Sequence, residues 1–188
     1  MNPVRWLARV LFRDYSIYRI YRTCMDNMMP RGAVAPEAKK FRFRSVLEGE
    51  IRSSLDQLIA EQAWYHGEDV HGYACLDRSR IVGLCFFWYG KRYAERNFWP
   101  LAEKEAKLVQ LIVLPEMRNM GIARDLIGFA VHDMAQRGFE HAYARIWWNN
   151  EPSQRAFENA GWKPLATVAE FRFHGQKKPF RFKCKSNP

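Results

Sequence analysis

The sequence predicts a mixed α/β domain of the α+β kind, one mixed sheet packed with helices, preceded by an amphipathic helix. Three observations predict it. Residues 107 to 123 read as an apolar strand, a glycine-containing turn and the start of a helix. From residue 41 onward, strand and helix patterns succeed one another in the order β-α-β-β-β-α-β-α-β-β. The 188 residues are 48% hydrophobic and 15% aromatic, enough to close a packed core around such a sheet.

The elements follow in order. Residues 4 to 22 contain no Gly or Pro. At the ~100° step of a helix they gather Val4, Leu7, Val10, Leu11, Tyr15, Ile17, Tyr18 and Tyr21 on one face, and Arg5, Arg9, Arg13, Ser16 and Arg19 on the other. This predicts an amphipathic helix within a basic segment, residues 1–30. Arg9 and Arg13 interrupt any secretory apolar core, and no small-residue cleavage site follows. Two surfaces fit the apolar face. One is an anionic membrane interface, which would make the protein peripheral; the other is protein, either the chain's own domain or a second subunit of a homodimer. Pro30, Gly32 and Pro36 mark a linker over 31–40, so the globular domain is expected over 41–188.

Phe41-Arg42-Phe43-Arg44 alternates as a first strand, and Ser53 or Ser54 is placed to cap a helix reaching Trp64. His66 to Gly72 is a polar loop with the residues of an active-site rim. Its histidines, His66 and His71, stand five apart, which makes no helical metal pair, and no metal is expected. Tyr73 to Leu76 and Ile81 to Tyr89 read as a hairpin, and residues 91 to 103 as a charged, aromatic connection. After the strand over 107 to 114, a helix from Ile122 to Arg137 buries Leu126, Ile127, Ala130, Val131 and Met134 and closes on Gly138. A strand over 141 to 148, a short helix over 153 to 159 ended by Gly161, and a hairpin of 166 to 174 with 180 to 184 complete the order.

The formal charge of +10 is concentrated at the ends: residues 1 to 30 carry +3 and residues 171 to 188 carry +6, leaving a nearly neutral middle. That distribution speaks against a uniformly basic nucleic-acid-binding core. No stretch reaches the ~18 apolar residues of a spanning helix. The four cysteines, at 24, 75, 85 and 184, show no C-x-x-C spacing, which fits a reducing cytoplasm better than a disulfide framework.

The turn Arg118-Asn119-Met120-Gly121-Ile122-Ala123 carries the chemistry. It sets successive backbone N–H groups, through Arg124, at a helix N-terminus, where they lack intrahelical partners and carry the positive end of the helix dipole. Gly121 and Ala123 keep the surface low and Arg118 adds charge, so a diphosphate is the ligand that matches.

Val113-Leu114-Pro115-Glu116-Met117-Arg118-Asn119-Met120-Gly121-Ile122-Ala123 resembles the V-x-P-x-x-R-x-x-G-x-A/G signature of the GNAT superfamily of acyl-CoA-dependent N-acyltransferases. The run Asn150-Glu151-Pro152-Ser153-Gln154-Arg155-Ala156-Phe157-Glu158-Asn159-Ala160-Gly161-Trp162 is similar to its second signature, N-x-x-S/A-x-x-x-Y/F-x-x-x-G-F/W. The resemblance is firm over 104 to 163, extends more loosely over 41 to 185, and does not reach the residues before 40. It implies direct acyl transfer from acetyl-CoA to an amine, with no covalent enzyme intermediate. It also implies a pantetheine arm lying along Leu111, Ile112 and Val113 beside Asn150, with a strand N–H polarising the thioester carbonyl.

Here the sequence departs from the family. The glutamate that many members place six residues before the motif valine falls on Lys107, and the tyrosine used as acid falls on Phe157. Glu105, of the same strand parity as Lys107, is a candidate general base, and Tyr143 on the neighbouring strand a candidate acid. The expectation is an N-acetyltransferase acting on a small-molecule primary amine, such as an amino sugar or amine metabolite. Its alternatives are a CoA-binding module without turnover and a protein N-acetyltransferase.

Overall fold

The computed structural model describes residues 12–25, 40–94, 99–173 and 180–185. In chain order they form β1 (Phe12–Cys24), β2 (Phe41–Ser45), α1 (Glu48–Arg52), α2 (Gln57–Ala60), a 3-10 turn (Glu61–Tyr65), β3 (Val70–Asp77), β4 (Arg80–Trp88) and α3 (Gly90–Ala94). Then follow β5 (Glu105–Val113), a 3-10 turn (Pro115–Met117), α4 (Ile122–Gln136), β6 (His141–Trp147), α5 (Glu151–Asn159), β7 (Lys163–Phe173) and β8 (Phe180–Lys185). The eight strands make one sheet in the order β2-β3-β4-β5-β6-β1-β7-β8. Every neighbouring pair is antiparallel except β5 and β6, which α4 connects as a crossover.

The α4 face of the sheet carries the main core. Leu126, Ile127, Ala130, Val131 and Met134, the residues expected on the inner face of that helix, are all fully buried. Gly138, at φ 88°, ends the helix in the left-handed conformation, which glycine adopts without a Cβ clash. A smaller cluster of Tyr18, Ile20, Tyr143 and Val168 packs against Trp99, Leu101 and Leu165.

The helix expected over residues 4 to 22 is not formed over residues 12 to 22. Residues 12 to 22 belong to β1, which lies inside the sheet between β6 and β7; residues 4 to 11 fall outside the described residues. Tyr18 and Tyr21, which the helical reading set together on one apolar face, are 0% exposed, as is Ile20. The cause is that this strand buries residues on both of its faces. Tyr18 and Ile20 enter the smaller cluster, while Tyr21 turns the other way, its ring against Phe157 and its hydroxyl donating to Glu158 of α5. The helical apolar face expected there is therefore not formed over 15 to 22, and no described helix is long and apolar enough to cross a membrane.

The helix expected from Ser53 or Ser54 to Trp64 is divided into α1, α2 and a 3-10 turn. Ser53 closes α1 instead of opening a helix, its N–H bonding the Gly49 carbonyl. Asp56, just before α2, is held by both nitrogens of a fork from Arg80, at 2.6 and 2.9 Å.

Candidate functional site

The site arises from a change of pairing in β5. On one side β5 pairs with β4 as far as Val113. On the other it pairs with β6 only from Glu105 to Leu108. The β4 register passes from Phe87↔Leu108 to Phe86↔Gln110, which leaves Val109 as an inserted residue, a β-bulge. A bulge bends its strand and increases its twist. Beyond it the two parallel strands separate, and the backbone of residues 109 to 113 faces the gap without a ladder partner from β6.

Helix α4 begins at the wide end of that gap. Its N-cap is Gly121, at φ 76° and ψ −2°, and no side chain caps it. The N–H groups of its first turn are therefore left for a ligand. Close packing holds this turn down: a Cβ at Gly83 on β4 would stand 3.3 Å from both the Ile112 carbonyl oxygen and Ile122 Cγ2. Arg118 folds back, its Nε donating to the Val113 carbonyl at 3.3 Å. Arg124 pairs with Asp125 at 2.8 Å. The preceding 3-10 turn is tied to the β3–β4 hairpin by Arg80, which bridges Asp56 and Glu116.

The result is a cleft of about 660 Å³ between the opened strand, the turn and α5. Ten of the eleven residues expected to hold the cofactor line it: Leu111–Val113, Arg118, Asn119, Gly121, Ile122–Arg124 and Asn150. Met120 does not; its side chain is exposed. Asn150 is the N-cap of α5, its Oδ1 accepting from the Ser153 N–H at 3.2 Å, which leaves its amide nitrogen as a donor. Sequence reasoning did not assign to the cofactor Pro152, Ser153, Ala156 and Asn159 of α5, which complete the wall. Their signal was the second signature itself, whose small residues let this helix approach.

The two proton-handling candidates meet elsewhere. Glu105 and Tyr143 lie on the sheet face opposite α4, at the closed end of the gap, and the Tyr143 hydroxyl donates to Glu105 Oε1 at 3.0 Å. Glu105 Oε2 accepts from the Ala102 N–H at 2.8 Å, and His141 Nδ1 lies 3.7 Å from Oε1. Burial, and then the bond to Glu105, raises the Tyr143 phenol above its ordinary value. Lys107 is 2% exposed, with its ammonium 5.5 Å from the centre of the Tyr93 ring. Phe157 is core, packed edge-on to Trp162. Gln110 escaped the sequence reading, although a polar residue inside the apolar run Leu108 to Val113 was a signal. Among the described residues no group of three or more His, Cys, Asp or Glu side chains is placed to hold a metal ion.

Comparison with known proteins agrees with this geometry. The acetyltransferase (GNAT) family matches over residues 36–162. No curated protein matches the chain. Among solved structures, a GNAT-family acetyltransferase from Colwellia psychrerythraea superposes with a TM-score of 0.58 at 13% identity, covering 91% of this chain and 61% of its own. A Drosophila protein gives 0.57 at 13% identity, with 92% and 56% covered. A GCN5-related N-acetyltransferase from Kribbella flavida gives 0.54 at 10% identity, with 88% and 60% covered. The chain thus spans about six tenths of the length of these structures, and at such identities they bear on the fold alone. With the family matched over more than half of the chain, and with the opened β5–β6 pair and the bare helix end where its signatures fall, the chain belongs to the GNAT family of acetyltransferases.

Proposed function

We propose that this protein transfers an acetyl group from acetyl-CoA to the primary amine of a small molecule such as an amino sugar or an amine metabolite. The observation that carries the reading is the separation of β5 from β6 just beyond Leu108, with the uncapped end of α4 at its mouth. The diphosphate of CoA lies on the N–H groups of residues 119 to 124 with Arg118 beside it. The pantetheine arm takes the place β6 has vacated along residues 111 to 113, donating to and accepting from strand backbone, and Asn150 closes its other side.

The thioester then reaches the bulge, where the Val109 N–H faces the carbonyl oxygen and stabilises the charge that develops on it. The amine attacks the acyl carbon, the C–S bond breaks and the thiolate leaves. Glu105 stands four residues before Val109, about 13 Å along a strand, so it draws the amine proton through water. The four cysteines, without C-x-x-C spacing, support a reducing, cytoplasmic setting.

A second reading, a CoA-binding module without turnover, is favoured by Lys107 and Phe157 at the family's base and acid positions. One experiment separates the two. Acetyl-CoA is offered with glucosamine, putrescine, tyramine, glycinamide and benzylamine in turn, and CoA thiol release is followed. The expected result is release above the amine-free rate with at least one of them. Binding of acetyl-CoA with no release for any amine favours the module.

A further inference from the structure

Gln110 follows the bulge, so it stands where β5 leaves β6, and its contacts fix the face on which it lies. It pairs with Phe86, whose ring stacks on Tyr65 of the first 3-10 turn at 5.6 Å, on the side of the sheet away from α4. Gln110 Nε2 donates to Gln62 Oε1 at 2.7 Å, and Gln62 Nε2 donates to the Leu58 carbonyl at 3.0 Å. Gln62 is 7% exposed.

The chemistry of this chain orients both amides. The Leu58 carbonyl only accepts, so Gln62 must turn its NH₂ toward Leu58 and its oxygen toward Gln110. Gln110 must then turn its NH₂ toward Gln62. Its own oxygen is left on the other side, with acceptor capacity unused by Gln62. A carboxamide fixed in this way, half-buried at the apex of an opened strand pair, is more than a strand residue requires.

We infer that Gln110 receives the acceptor amine. Its carboxamide oxygen takes a hydrogen bond from the amine N–H and holds the nitrogen lone pair toward the acyl carbon at Val109; Gln62 positions the amide that does so. The inference rests on the acyl-transfer reading. In the transfer, nitrogen bonds the acyl carbon, the electron pair of the C–S bond leaves on sulfur as thiolate, and the proton lost from nitrogen passes through water to Glu105. Gln110 takes up no proton, so the same oxygen holds the amine before and during attack.

The test uses the full chain, acetyl-CoA and the five amines named above. Gln110→Leu is expected to lower kcat/KM for each accepted amine about tenfold or more, the worth of one well-placed hydrogen bond, with acetyl-CoA affinity within about twofold of the parent by calorimetry. Gln62→Leu leaves the Gln110 oxygen in place but loosely held, and is expected to raise the KM for amine by a smaller factor with kcat nearly unchanged. Gln110→Leu leaves the buried Gln62 amide without its partner. If that variant does not fold, the double substitution Gln62→Leu with Gln110→Leu removes both amides and is expected to fold and to show the same loss toward amine. A folded double variant with the parent's kcat/KM for amine overturns the inference. A loss of acetyl-CoA affinity in proportion to the loss of rate assigns Gln110 a structural role and overturns it too. A parent that binds acetyl-CoA and transfers to none of the amines overturns the acyl-transfer reading, and this inference with it.

Discussion

The Tyr143 hydroxyl on β6 donates a hydrogen bond of 3.0 Å to Glu105 Oε1 on β5, across the short stretch in which the two parallel strands still pair. The two side chains form one unit, in which the carboxylate is held at both oxygens, by Tyr143 and by the Ala102 N–H. Tyr143 keeps its proton firmly, since burial and its bond to Glu105 both raise its pKa.

Glu105→Gln is therefore expected to lower kcat about 100-fold and to flatten its rise with pH, the scale of a lost general base, while acetyl-CoA affinity stays the same. Tyr143→Phe removes one of the two donors and leaves the base, so its effect is expected to be several times smaller. Rates for Glu105→Gln equal to the parent at every pH would exclude the role.

The strand β1 carries the second prediction. Between β6 and β7 it is a central element, not an appendage, so a chain lacking residues 1 to 25 is expected to show no cooperative unfolding in urea. Ile20→Ala, at a fully buried position, is expected to cost about 2–4 kcal/mol. A truncated chain that unfolds at the parent's midpoint contradicts the placement of β1.

His71 supplies a pH signature. Its ring stacks on Tyr89 at 5.2 Å and meets Phe139 edge-on at 5.9 Å. Burial first, and then the nearby Arg137 charge, lowers its pKa, with Asp133 opposing. The folded chain thus refuses a proton that the unfolded chain accepts. Stability from the neutral ring is full above the unfolded value of ~6.5 and declines as pH falls from there toward the folded value. In urea titrations at about pH 7.5 and pH 5.5, His71→Phe is expected to lose less stability than the parent over that interval. Equal losses would show that His71 does not titrate differently in the two states.

What the sequence revealed, and what it hid, follows from burial. The strand, turn and helix from residue 105 to 136 were legible because each has a distinct period and Pro115, Gly121 and Gly138 punctuate them. The lining of the cleft was legible because most of its residues fall within the two signatures. β1 was misread because it buries residues on both of its faces. Apolar residues then fall at both parities, Tyr18 and Ile20 on one face and Tyr21 on the other, and arginines at 5, 9, 13 and 19 simulate a helical stripe. The counter-signal was composition, since Tyr15, Ile17, Tyr18, Ile20, Tyr21 and Thr23 are strand formers. The pairs Tyr143 with Glu105 and Gln110 with Gln62 were out of reach because their partners are 38 and 48 residues apart. Only the strand register brings them together.

Whether CoA lies on the bare end of α4 is decided by calorimetric titration of acetyl-CoA into the parent and into Gly121→Glu. Gly121 sits at φ 76°, where a side chain costs about 1–2 kcal/mol, a strain the fold is expected to survive. Glutamate adds bulk and negative charge where the diphosphate approaches the helix end. The parent is expected to bind one acetyl-CoA per chain, and the folded variant to give no binding heat at the same concentrations. Equal affinity in the two proteins would contradict that placement of CoA.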